Sequence, residues 1–183
     1  LLSQYLSNCP VYEIKEHIYK LEIVKSKESQ LVRSDFNFSQ TLFKQIKDII
    51  TKNAKGKSYL IFLPGKNEID FLFRLMEKSE ICSAFKLFKL HGQIELGQQK
   101  EAMTSIVPKI VLTTNIAESS VTVNGINAVI DSGLQRIIRY NPLSDQESLV
   151  LERISKASAI QRAGRANRLG EGTCFQLWTH LDE

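Results

Sequence analysis

The sequence predicts an α/β fold: a mostly parallel sheet with helices on both faces and one inserted β-hairpin. Three observations carry this. Short continuous apolar runs of strand length alternate with amphipathic segments of helical period, the pattern of strands buried on both sides by crossover helices. A hydrophobic share of 43% against 24% charged residues over 183 positions suits a globular domain large enough to bury a core. Finally, the apolar segments 134–140 and 148–154 are joined through the turn-rich Asn141-Pro142-Leu143-Ser144-Asp145. That spacing predicts a hairpin rather than a crossover.

Taken in order, residues 11–14 and 18–24 read as two short lead-in strands. Ser39 opens an amphipathic helix that turns Leu42, Ile46, Ile49 and Ile50 to one side. Lys52, Lys55 and Lys57 suit its C-terminal dipole end. Residues 58–63 form a compact apolar strand stopped by Pro64-Gly65, and Asn67 caps a helix carrying Ile69, Leu72, Phe73 and Met76. A strand at 85–90, a helix at 95–104 and a buried strand at 109–113 follow. A short turn at 115–118 leads to another buried strand at 125–131. After the hairpin, residues 155–163 read as a helix and 172–178 as a last strand.

Composition excludes several function classes. The net charge of +4 is compatible with an anionic partner but too mild to identify one. Cys9, Cys82 and Cys174 are odd in number and widely spaced, so they read as free thiols of a reducing compartment, and a cytoplasmic location is expected. Neither they nor His17, His91 and His180 have metal-ligand spacing. No apolar run approaches membrane-spanning length, and no membrane partner is expected. The chain opens on Leu1-Leu2, which suggests a piece of a longer protein.

The most informative stretch is Gln161-Arg162-Ala163-Gly164-Arg165-Ala166-Asn167-Arg168. On a continuing helix, Gln161, Arg165 and Arg168 at i, i+4 and i+7 would share one stripe. Arg162 would fall about 100° away. Guanidiniums separated by small residues form a forked cationic surface suited to polyphosphate. The alternative is a solvated helix with i, i+4 charge pairs, but no acidic residue stands among the eight. The second stretch, residues 113–125, follows a buried strand, so its hydroxyls and amides would emerge at the C-terminal edge of the sheet, where ligands of open α/β sheets bind. Such groups can hydrogen-bond phosphate and ribose, or they can simply cap a short helix. By contrast, Gly56-Lys57-Ser58 only imitates a phosphate-binding loop. Thr51 stands where the first glycine belongs, and the strand follows the triplet instead of preceding it. Without a G-x-G-x-x-G after a strand, a dinucleotide-binding oxidoreductase is disfavoured.

Together these segments resemble the second RecA-like domain of DEAH-box superfamily 2 RNA helicases. Residues 60–69 look like motif IV, 113–125 like motif V and 161–168 like motif VI, in the expected order. With 154–159 and 172–178, the likeness leans toward the bacterial HrpB-type branch. It implies residues 11–183 as the helicase C-terminal domain, with 1–10 as the tail of a preceding RecA-like domain or a linker.

The resemblance also implies roles. ATP binds between two RecA-like domains; Arg165 and Arg168 match the arginine fingers, and Gln161 matches a contact to phosphate or attacking water. Ser120, Thr122 and Asn124 match residues facing the nucleotide and its ribose, and Met103 the apolar platform for adenine. Gly65, Lys66, Thr114 and Asn115 match contacts to the backbone of single-stranded RNA. Residues 134–154 match a hairpin associated with strand separation. The phosphate loop and the Mg2+ ligands would come from the N-terminal RecA-like domain, so the fragment alone should not hydrolyse ATP. Three positions depart from the family pattern: Asn167 replaces a glycine, Asn124 an aspartate and Met103 a phenylalanine. The alternative functions are a non-catalytic module of a degenerate helicase that holds RNA or protein, and a DNA translocase of the same superfamily.

Overall fold

The computed structural model describes residues 5–7, 9–11, 19–28, 32, 36–53, 56–119, 121–141 and 145–182. Six parallel strands form the sheet: β1 (Leu21–Lys25), β2 (Tyr59–Phe62), β3 (Lys86–Leu90), β4 (Lys109–Thr113), β5 (Ala128–Asp131) and β8 (Gly172–Gln176), in the order β1-β8-β5-β2-β4-β3. Between β5 and β8 lies a separate antiparallel hairpin, β6 (Leu134–Asn141) and β7 (Gln146–Arg153). The predicted fold class is therefore the observed one.

The apolar strands are continuous because both faces are covered. Every residue of β2, β4 and β5 is buried, and alternate side chains point to opposite faces. Ile61, Ile110, Leu112 and Ile130 join Leu42, Ile46 and Ile50 of α1 (Phe36–Asn53) and Ile69, Leu72 and Met76 of α2 (Lys66–Glu77). Leu60, Phe62, Val111 and Val129 face the other side, against Ala102 of α3 (Leu96–Thr104), Ala117 of α4 (Ile116–Ser119) and Ala163 of α5 (Lys156–Ala163). Each large aliphatic side chain buried in this way contributes about 1.5–3 kcal/mol.

Several boundaries differ from expectation. Of the first lead-in strand only Val11 is described, in no regular element, while residues 12–14 lie outside the described residues. The second is observed as β1, starting at Leu21. Helix α1 begins at Phe36, so Ser39 lies inside it; Phe38 is buried in the core and draws an additional turn into the helix. Gly65, not Asn67, is the N-cap of α2, with extended backbone and no side-chain capping bond. The turn at 115–118 is the one-turn helix α4. The strand expected from residue 125 starts at Ala128. Gly125 has φ +74°, and the Asn127 side chain instead ties the approach to the sheet, accepting from Ser58 N and donating to Gly56 O. Gly56-Lys57-Ser58 is indeed a loop before a strand, with Lys57 Nζ donating to Thr173 Oγ1.

Candidate functional site

The site lies where the segment after α5 crosses the loop after β4. Ser155 caps α5, its hydroxyl accepting from Ser158 N. The helix ends at Ala163 with Gly164 as C-cap, and Arg165 N and Ala166 N make tighter bonds to Arg162 O and Ala163 O. This corrects the helical stripe expected of Gln161, Arg165 and Arg168: both arginines lie beyond the helix. Tertiary contacts explain the departure. Asn167 Nδ2 donates to Tyr19 O at 2.7 Å. The chain also packs so closely on the start of β8 that a Cβ at Gly172 would stand 2.2 Å from Ala166 O. Asn167, where the family pattern has glycine, thus anchors the segment to the chain leading into β1.

The arginines also do not form a free cationic stripe. Arg162 is fully buried, with Nε on Glu118 Oε2 at 3.0 Å, Nη1 on Asp131 Oδ1 at 3.0 Å and the guanidinium 4.9 Å over the Phe62 ring. The acidic partners missing from the local sequence come from α4 and the end of β5. Burial pushes the Asp131 carboxyl up, opposed by Arg162 and by the Gly133 N–H. Arg165 is 8% exposed; Nη1 donates to Val121 O at 2.9 Å and Nη2 to Glu118 O. Burial, then the charge of Arg168, lowers its pKa, with Glu118 acting the other way; guanidinium nonetheless remains charged in proteins. Arg168 is exposed and donates from Nη1 to Thr122 Oγ1 at 2.9 Å. Gln161 is exposed on the last turns of α5.

Residues 121–125 continue to α3. Asn124 N donates to Met103 O at 2.8 Å, bringing two of the expected nucleotide residues together, with Met103 half-buried and the Asn124 side chain exposed. Lys109, read only as part of a strand, is buried and donates from Nζ to Ala102 O and Ser105 O. It thereby satisfies carbonyls at the C-terminal end of the helix that carries Met103; burial lowers its pKa. Ser120 lies outside the described residues.

The other expected residues gather at the C-terminal ends of β2 and β4, which are adjacent in the sheet. Gly65 is buried and Lys66 exposed; Thr114 is half-buried and Asn115 exposed. His91 follows β3 at the same edge, buried, its pKa lowered by burial and by Lys66 and Lys89 against an opposing Asp70. Sequence reasoning missed Glu118, Asp131 and Lys109, and local spacing offers no signal for partners that meet only through sheet order. Among the described residues, no group of three His, Cys, Asp or Glu side chains is placed to hold a metal ion, and no helix is long and apolar enough to cross a membrane.

The parallel sheet with helices on both faces and the inserted hairpin define the class, a RecA-like domain. A family model described as "Helicase conserved C-terminal domain" matches residues 41–170, and the chain belongs to that family. Its relatives point to the DEAH-box branch. The ATP-dependent RNA helicase HrpA of Borreliella burgdorferi is 32% identical over 188 residues, covering 100% of this chain and 22% of that protein. Human ATP-dependent RNA helicase DHX33 is 29% identical over 98% of this chain and 26% of its own length. A crystal structure of the Escherichia coli DEAH/RHA helicase HrpB superposes with TM-score 0.82 at 30% identity, over 98% of this chain and 22% of that one. The chain thus spans about a quarter of the length of the relatives it matches.

Proposed function

We propose that this domain is the second motor lobe of an ATP-dependent RNA helicase, completing an ATP site whose phosphate loop and Mg2+ ligands belong to an N-terminal RecA-like lobe. The observation that carries the reading is the crossing of two motifs. Arg165 and Arg168, three residues apart, are both bonded to the 118–122 segment, Arg165 to the Glu118 and Val121 carbonyls and Arg168 to the Thr122 hydroxyl. Phosphoryl transfer spreads negative charge over phosphate oxygens, and preorganised guanidiniums stabilise it. When the lobes close, Arg168 is the more accessible finger. Arg165 exchanges carbonyl partners for phosphate oxygens, and Gln161 contacts phosphate or the attacking water.

Thr122, Asn124 and Ser120 are assigned to the nucleotide and its ribose, with Met103 as a flexible apolar platform for the base. Gly65, Lys66, Thr114 and Asn115 are assigned to the backbone of single-stranded RNA, which suits polar groups at the C-terminal edge of a parallel sheet. The β6–β7 hairpin is assigned to strand separation.

The test uses the full-length protein. Arg165→Ala and Arg168→Ala should each lower RNA-stimulated ATP hydrolysis by about 10³–10⁵-fold, the range that arginine fingers supply, and residues 1–183 alone should hydrolyse no ATP. An unchanged rate in both variants would sink the assignment. Comparing stimulation by single-stranded RNA and DNA distinguishes an RNA helicase from a DNA translocase.

A further inference from the structure

One half-buried ion pair lies outside the roles assigned above. Glu68 stands in the first turn of α2, directly after the loop at Gly65-Lys66, and is 3% exposed. Arg136 is the third residue of β6 in the hairpin, and its Nη2 donates to Glu68 Oε1 at 2.7 Å. The arginine also lies along the loop itself. A Cβ at Gly65 would stand 2.9 Å from Arg136 Nε and 3.0 Å from its Cδ, so the guanidinium stem rests on backbone that a side chain would displace.

Stability alone gives little reason for such a pair. Burying the Glu68 carboxylate and much of Arg136 costs desolvation that their attraction roughly repays, and apolar residues of the same volume commonly do as well. What an ion pair adds is a fixed geometry between the two elements it joins, beyond the apolar contact that Leu134 and Leu151 make with the core. Three other polar tethers act at the root of the hairpin. Arg162 Nη1 donates to Leu134 O, Ile154 N to Gly133 O and Arg153 Nη2 to Asp182 Oδ1. Glu68–Arg136 acts further along β6 and reaches a different target, the loop assigned to RNA.

We propose that Glu68 and Arg136 are positioning residues that lock the hairpin to the Gly65-Lys66 loop, so that the strand-separating and strand-holding elements move as one body when the lobes close. This rests on the function proposed above. The pair acts through the hairpin and the loop and touches neither nucleotide nor RNA. Its loss should therefore uncouple unwinding from hydrolysis instead of stopping hydrolysis.

The experiment compares full-length wild type, Glu68→Gln, Arg136→Lys and the double variant Glu68→Gln/Arg136→Gln, reading RNA-stimulated ATPase and separation of an RNA duplex in the same preparations. In each single variant, duplex separated per ATP hydrolysed should fall about tenfold, less than the roughly 10²-fold that a 1 Å misplacement from a remote mutation can cost. ATPase at saturating RNA should stay within about twofold of wild type, because the finger residues and their partners are untouched. The double variant, a neutral amide pair, should recover part of the loss, a non-additivity expected of contacting residues. Arg136→Lys keeps its charge at a partly exposed site, so it remains informative if Glu68→Gln fails to fold. ATPase and unwinding falling in proportion, or an unchanged yield per ATP in Arg136→Lys, overturns the proposal. Wild-type protein that neither binds RNA nor separates a duplex overturns this proposal and the proposed function together. Wild-type unwinding with unaltered coupling in the variants overturns this proposal alone.

Discussion

The central sheet and the hairpin are built from strands of the same chain but differ in how much of each is buried. β2, β4 and β5 are buried at every residue, whereas the first four residues of β7 are exposed, along with Ile138 and Tyr140 of β6. Dry, close-packed strands have one arrangement, because any shift opens voids on both faces. The root of the hairpin packs Leu134 and Leu151 on the core, and polar contacts add to that grip: Arg162 on the Leu134 carbonyl and Arg153 on Asp182 at the root, and Arg136 on Glu68 further along β6. The difference separates a frame that fixes positions from an appendage whose position is set by the elements gripping it. Two of those grips, Glu68 and Arg162, stand within three residues of positions proposed to contact RNA and ATP, Lys66 and Arg165.

The same gradient runs along residues 161–168. Arg162 is wholly buried in an ion network, Arg165 nearly so on main-chain carbonyls, and Arg168 is exposed on a hydroxyl. Three arginines within seven residues thus serve architecture, a poised contact and a solvent-facing contact. The tertiary environment of each sets its task.

Stability measurements test this contrast directly. The largest effect is expected in the frame. Ile61→Ala, at a fully buried position of β2, should cost about 2–5 kcal/mol in urea unfolding, through lost transfer energy and the cavity left behind. A cost under 1 kcal/mol there would show that the sheet is not the rigid partner. Next comes the joint. Gly133 has φ +70°, and an added Cβ would stand 2.5 Å from Trp178 Cε3. Gly133→Ala should therefore cost about 2–3 kcal/mol, combining left-handed backbone strain with overpacking. It should also change Trp178 fluorescence, and an unchanged emission spectrum would mean that the joint is looser than described. The smallest effect belongs to the hairpin surface. Leu149→Ala, at a residue 60% exposed, should stay within about 0.5 kcal/mol of wild type. A loss like that of Ile61→Ala would place the hairpin within the stabilising core.

Much of the frame was legible because its signal is local. A strand buried on both faces needs an uninterrupted apolar run, and 109–113 coincides with β4 for that reason. Helix starts were less legible. Ser39 and Asn67 are good capping residues by type, yet α1 begins earlier because Phe38 packs into the core, and α2 begins after Gly65, where the chain leaves β2. The motif VI segment was least legible in shape. Ala163, Gly164 and Ala166 would also fit a continuing helix, and the helix stops because Asn167 is bound at Tyr19 and Ala166 lies against Gly172.

Local signals in the sequence marked the six strands of the sheet, their mostly parallel arrangement, the place of the hairpin and the order of three motifs. Each of these is written in periodicity or in residue types within a few positions of one another. Only the tertiary structure decided what the motif residues touch. Arg162 meets Asp131 and Glu118 across 31 and 44 residues, Arg165 meets Val121 across 44, and Arg136 meets Glu68 across 68. The physical reason is that side-chain pairing at such separations depends on strand order and on which sheet face each helix covers, and neither leaves a mark in local spacing.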